Sequence, residues 1–288
     1  MKLYTNTEEI MKIDFSLEEF VDYYQNSSVI SEEALSDYLF KIKDTFITIG
    51  SKLTNRINDK AVLEITSNKF EVLHIVKRLK FIEVKDFITS KPEGFKGKYI
   101  DYTLDLINVS NNVIGNIEET LNSLKTAIGI FINEYNSDKI AELHNNVHFK
   151  ITADELDKNT KEISKYFKLG DKNTKAKIMD VLKSLNDIEP LYKNIEVLDG
   201  VINISKIEYI GKLANEVSEL VDSLIEQNAK TKVLEKNDKV KAELVSALNI
   251  AAREIELINY IYSNVFIFYG VFKNLIDDLI AAENTINN

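Results

Sequence analysis

The sequence has no cysteine, and only two prolines and nine glycines in 288 residues. Without cysteine there are no disulfides, thiolate metal sites or cysteine nucleophiles. So little proline and glycine favours long, uninterrupted helices over a many-turned β architecture. Arginine is scarce as well: Arg56, Arg78 and Arg253 are the only ones among 36 basic residues. Arginine makes most bidentate contacts to phosphate and guanine, so this shortage and a net charge of −10 disfavour specific nucleic-acid binding. Two local basic clusters, Lys77-Arg78-Lys80 and Lys168-Lys172-Lys175-Lys177, read as solvated helix ends and faces diluted by nearby acids. Met1-Lys2-Leu3-Tyr4-Thr5 has no apolar signal core, and no lipidation motif follows. The expected location is therefore the cytoplasm of the cell that makes the protein, or the inside of a particle that leaves it.

What the chain does have is apolar periodicity. Hydrophobic residues at 44% and charged residues at 28% describe a globular protein long enough to bury a sizeable core. The dominant stretch is 238–283. There, apolar residues step by threes and fours through Leu244, Leu248, Ala251, Ile255, Ile258, Tyr262, Val265, Tyr269, Phe272, Ile276 and Leu279. Ile261, Phe268 and Leu275 widen this heptad seam, and the polar remainder is a stripe of Glu256, Ser263, Gly270 and Asp277. A helix apolar on most of its circumference lies inside a protein or inside a membrane. The charge-free run 257–272 falls short of the ~20 residues a bilayer span needs and contains Asn259, Ser263 and Asn264. It is read as the central helix of a bundle, with no stable membrane insertion.

Elsewhere, capping boxes at Thr5-x-x-Glu8, Ser16-x-x-Glu19, Thr152-x-x-Glu155 and Ser205-x-x-Glu208 mark helix starts. Ser31 opens a helix with the seam Leu35, Leu39, Ile42, Phe46, Ile49, Leu53 and Ile57. A long helix over about 98–136 carries Ile100, Leu104, Ile107, Asn111, Ile114, Ile117, Leu121, Leu124, Ile128, Phe131 and Tyr135. Asn111 on that seam either fixes register or partner number, or faces the extended segment or water. Pro190 splits or kinks the helix carrying Ile178 to Leu198 near Ile188. Between Ala61 and Phe95 the pattern predicts a short helix at 70–76 followed by an extended segment over 80–88, with a turn at Lys91-Pro92-Glu93-Gly94. The expected fold is all-α, an elongated multi-helix bundle with long heptad-patterned helices and at most a short extended segment near 80–90. Its parts are N-terminal helices over 1–60, a mixed segment over 61–97, and a bundle over 98–288 built around the C-terminal helix.

No motif supplies a catalytic, cofactor-binding or metal-binding residue set. His144 and His148 stand one turn apart, but Asn145 occupies the glutamate position of the zincin pattern. Glu71-Val72-Leu73-His74 matches the Glu-x-x-His step of di-iron bundles. The second pair fails, because Ala141 and Asn145 precede the other histidines by three. Glu118-Glu119 and Asp277-Asp278 are adjacent on helices and point in different directions, so neither pair forms a dyad. The expectation is a protein that is not an enzyme and needs no metal or cofactor.

An extended Phe81-Ile82-Glu83-Val84, then Pro92-Glu93-Gly94-Phe95-Lys96-Gly97-Lys98-Tyr99-Ile100-Asp101-Tyr102, then a long heptad helix resembles helical head-associated virion proteins of large tailed bacteriophages. The opening Leu3-Tyr4-Thr5-Asn6-Thr7-Glu8-Glu9 is compatible with it, and the resemblance covers about 70–135. It implies a structural protein packaged in or attached to the phage head. The implied partners are capsid or other virion proteins, or further copies of the chain, and no catalytic residue carries over. A second reading, from a different class, is a membrane-active, toxin-like helical protein that releases the apolar 257–272 segment. Neighbouring capsid and portal genes would favour the first reading, and paired toxin components the second.

Overall fold

The computed structural model describes residues 32–54, 65–133, 153–165, 173–202, 204–232, 234 and 238–287. Nine α-helices and two strands follow along these residues: α1, Glu32–Thr54; α2, Lys69–Arg78; α3, Phe81–Val84; β1, Ile88–Pro92; α4, Tyr99–Asn133; α5, Ala153–Ser164; β2, Asn173–Lys177; α6, Ile178–Val181; α7, Ile188–Val201; α8, Ile204–Thr231; and α9, Asp238–Asn287. The helices expected at the extreme N-terminus lie outside the described residues, as does Thr152 of the third capping box.

The axis of the fold is α9, 50 residues long and about 75 Å at 1.5 Å per residue. Every residue of its predicted seam, from Leu244 to Leu279, is buried, and so are Ile261, Phe268 and Leu275. Alongside it α4 runs antiparallel: Tyr102 meets Asn264 and Phe268, while Thr120, five turns further on, lies against Glu254. A second column is formed by α7 and α8, stacked end to end along α4 and tied to it by Asn194–Thr103 and Lys125–Glu216. The remaining column is α1 followed by α2, held to α9 by Tyr38–Asn249 and Arg78–Glu283. Since α1 also packs on α8 and α2 on α7, four helical columns surround one continuous core. The all-α, elongated bundle expected from the patterning is the architecture found. Far-ultraviolet circular dichroism should be dominated by the helical signal, and a β-dominated spectrum would contradict this fold.

The close approach of α1 to α8 depends on Gly50. A Cβ there would come within 2.7 Å of the Asn215 side-chain oxygen and 3.0 Å of the Gly211 carbonyl. Pro190 sits in the first turn of α7, where a missing N–H costs nothing, and the chain ahead of it breaks into α6 and a 3-10 turn at Leu185–Asp187. Asp187 accepts from the Lys183 and Ser184 backbone N–H groups at 2.7 and 3.1 Å, closing that turn.

Three expectations are corrected. The segment predicted as extended over 80–88 begins instead as the helical turn α3, where Glu83 accepts from the Lys80 backbone N–H. The strand lies later, at Ile88–Pro92, so Pro92 ends the strand and the turn falls at Glu93–Gly94, with Gly94 at φ 73°. Strand formation there requires a partner, and β2 supplies it, antiparallel, with Thr89 opposite Ala176. This second strand includes Lys175 and Lys177 of the cluster read as helix ends and faces, and it lies beyond the 80–90 window. Its sequence, Asn173-Thr174-Lys175-Ala176-Lys177, is polar and lacks the apolar alternation that marks a strand in isolation.

The third correction concerns the first half of α4. Leu104 is 47% exposed, Asn111 is exposed, and Ile100 and Ile107 are half-buried. The core takes instead Tyr99, Tyr102, Thr103, Leu106, Val109 and Ser110. Thr103 and Ser110 can be buried because their hydroxyls donate to the Ile100 and Leu106 carbonyls, at 3.0 and 2.6 Å, one turn back. From Ile114 onward the predicted seam is buried as far as Phe131.

Candidate functional site

The sequence-based candidates do not converge. Glu71 and His74 face solvent on α2, and His144 and His148 lie outside the described residues. Glu118 and Glu119 are exposed on α4. Asp277 is exposed, whereas Asp278 is half-buried with its carboxyl pushed up, first by burial and then by the charge of Asp277, against a lowering effect of the Thr89 hydroxyl. Arg78 pairs with Glu283 at 2.7 Å and Lys177 with Asp86 at 2.6 Å. Lys168 and Lys172 lie outside the described residues. Among the described residues no group of three or more His, Asp or Glu side chains is placed to hold a metal. A depression of about 450 Å3 is lined by Asp154, Asp157, Lys158, Lys161 and Glu162 of α5 and by Lys165 just past its end. Three acids and three bases are mixed along it, so it presents no field of a single sign.

What the structure does bring together is a line of polar side chains inside the core, spread along α9. At its N-terminal end the Tyr38 hydroxyl of α1 lies 2.8 Å from Asn249 Oδ1 and 3.0 Å from the Val245 carbonyl. Burial raises the Tyr38 phenol well above its usual range, so it remains a neutral donor. Further along, the Tyr102 hydroxyl of α4 donates to Asn264 Oδ1 at 2.9 Å, and Asn264 Nδ2 donates to the Tyr260 carbonyl at 2.8 Å. Around β1, the Tyr99 hydroxyl donates to the Ser90 carbonyl and Asn274 Nδ2 to the Ser90 hydroxyl, each at 2.9 Å. The rings beside these bonds form one cluster: Tyr99 and Tyr102 approach Phe268 edge-on, at 5.7 and 6.1 Å between centroids. Phe268 stacks on Phe272 at 5.8 Å.

Between these bonded pairs stands Glu254. It is fully buried, and neither carboxylate oxygen has a hydrogen-bond partner among the described residues. Thr120 is the polar group beside it, and its presence favours the charged form; but the Thr120 hydroxyl is engaged with the Asn116 carbonyl at 3.3 Å. Burial wins, and the carboxyl is pushed up to about 8. The signal was in the sequence: counting back one heptad from Phe268 reaches Ile261, and one more reaches Glu254. An acid in a register otherwise filled by Ala247, Ile261, Phe268, Leu275 and Ala282 breaks the seam at one point.

The bonded pairs fix how the helices sit against α9, because each is satisfied in one register only. Tyr38→Phe removes a donor and leaves Asn249 Oδ1 buried and unpaired. It should cost about 1–3 kcal/mol by urea unfolding, and a change within error would show that this bond sets nothing. No known family model, curated protein or solved structure matches the chain.

Proposed function

We propose that the protein is a non-enzymatic helical structural or interaction protein, and that it serves as a head-associated or internal virion protein of a large tailed bacteriophage. One observation supports the first part most directly: the apolar surface of α9 is covered along its length by helices of the same chain. Three of the buried polar groups on it, Asn249, Asn264 and Glu283, hold it to α1, α4 and α2. A rod about 75 Å long with a charged exterior offers side surfaces and ends for protein partners: capsid or other virion proteins, or further copies of itself. The virion setting rests on the sequence resemblance over about 70–135, carried by the Pro92–Gly97 stretch and the long helix after it, since 81–84 is a helical turn and not extended. Specific nucleic-acid binding and stable membrane insertion are not part of this reading.

The test is the protein content of purified phage particles. Mass spectrometry of heads from the phage that carries the gene should find the chain at fixed copy number, retained through a density gradient. A chain found only outside particles, with its gene among paired toxin components, would overturn the reading.

A further inference from the structure

We propose that Glu254 is a proton-operated latch between α4 and α9: protonated, it lets the two helices close over it, and ionised, it drives this stretch of the seam open. The geometry carries the inference. The side chain occupies a core heptad position in the middle of the longest helix and points into the interface with α4, where Thr120 is its polar neighbour. With neither oxygen bonded among the described residues, the site is tolerable for a neutral carboxyl and hostile to a carboxylate, which would have to reach water or be solvated by water entering the seam.

Among the described residues no neighbouring charge offsets that. On α4, Glu118 and Glu119 are exposed and Lys125 is paired with Glu216 of α8. On α5, Asp157 is held by Arg253, the residue next to Glu254 on α9 itself. From α1, Lys43 is paired with Asp222 at 2.6 Å, Asp37, Lys41 and Asp44 are exposed, and Tyr38 stays neutral against Asn249. The ties of α2 and β1 to α9 fall at Glu283 and Asn274, five turns or more away. Opening is therefore governed by this one carboxyl, and closure is favoured by acid.

Two measurements on the wild-type protein test it, with Glu254→Gln as the comparison. Infrared difference spectra should show a protonated carboxyl band at pH 6 that is lost by pH 9 and missing from Glu254→Gln. Amide hydrogen exchange, corrected for its intrinsic base catalysis, should show the opening of 117–124 and 251–258 rising about a hundredfold between pH 6 and pH 9 in the wild type. The α8 amides 213–221 should stay protected, and Glu254→Gln should show no such rise. If Glu254→Gln does not fold, the wild-type band and the contrast between α4/α9 and α8 still decide. A carboxyl already ionised at pH 6, an unchanged seam at pH 9, or equal loss of protection in α8 would each overturn the latch.

Discussion

Phe268→Lys should abolish cooperative folding or lower the melting temperature by tens of degrees. Phe268 is 1% exposed and lies among Tyr99, Tyr102 and Phe272, where the described side chains place no carboxylate to receive an ammonium group. Truncating such a side chain to alanine costs about 3–5 kcal/mol, and burying an unpaired charge adds several more. Against a native stability of about 5–15 kcal/mol, that sum removes most or all of it. A membrane-inserting role for 257–272 gives the opposite result: the soluble fold survives Phe268→Lys and liposome leakage disappears. Thermal unfolding and leakage, run side by side on the variant and the parent, separate the two. An unchanged melting temperature with leakage lost would promote the toxin-like reading.

The second large effect is on the pH dependence of stability. An ordinary glutamate titrates near 4.3, while Glu254 in the folded protein is pushed up to about 8. Between those values the folded state holds a proton that the unfolded state has released. Stability therefore falls as pH rises, by about 1.4 kcal/mol per unit and about 5 kcal/mol in all, and levels off above pH 8. Acids held by bases act in the other direction. Asp86, lowered by its hydrogen bond to Lys177, is exposed and loses its contribution only at acidic pH. Maximum stability is thus expected near pH 5. Denaturant midpoints at pH 5, 7 and 9 should fall steadily for the parent and stay level for Glu254→Gln. Parallel profiles for the two proteins would show that the slope comes from other groups.

How much of this was legible beforehand varied by element. The seam of α9 was, because its apolar residues recur over many heptads, and so was the break near Pro190, where chemistry limits the backbone. The first half of α4 was not. Its inward positions include Thr103 and Ser110, whose hydroxyls bond back to the helix, while Leu104 stays on the outside. Polarity scored residue by residue puts those positions on the wrong face. The β pairing was missed because β2 is polar and its partner lies some 85 positions earlier in the chain. Glu254 does not stand out by residue type, because a charged residue ordinarily marks the solvent side, although its heptad register places it with Ile261 and Phe268. The tyrosine–asparagine pairs could not be found from spacing alone, since Tyr38–Asn249 and Tyr102–Asn264 each join distant helices.

The role of α9 as internal core is tested most directly by residue-resolved hydrogen exchange along 244–279, with and without liposomes. Burial within the bundle predicts that amides around Tyr262, Val265, Tyr269 and Phe272, beyond the stretch that opens around Glu254, exchange only through global unfolding, at rates that lipid does not change. Rapid exchange confined to 257–272, or new protection of that segment when liposomes are added, would contradict it.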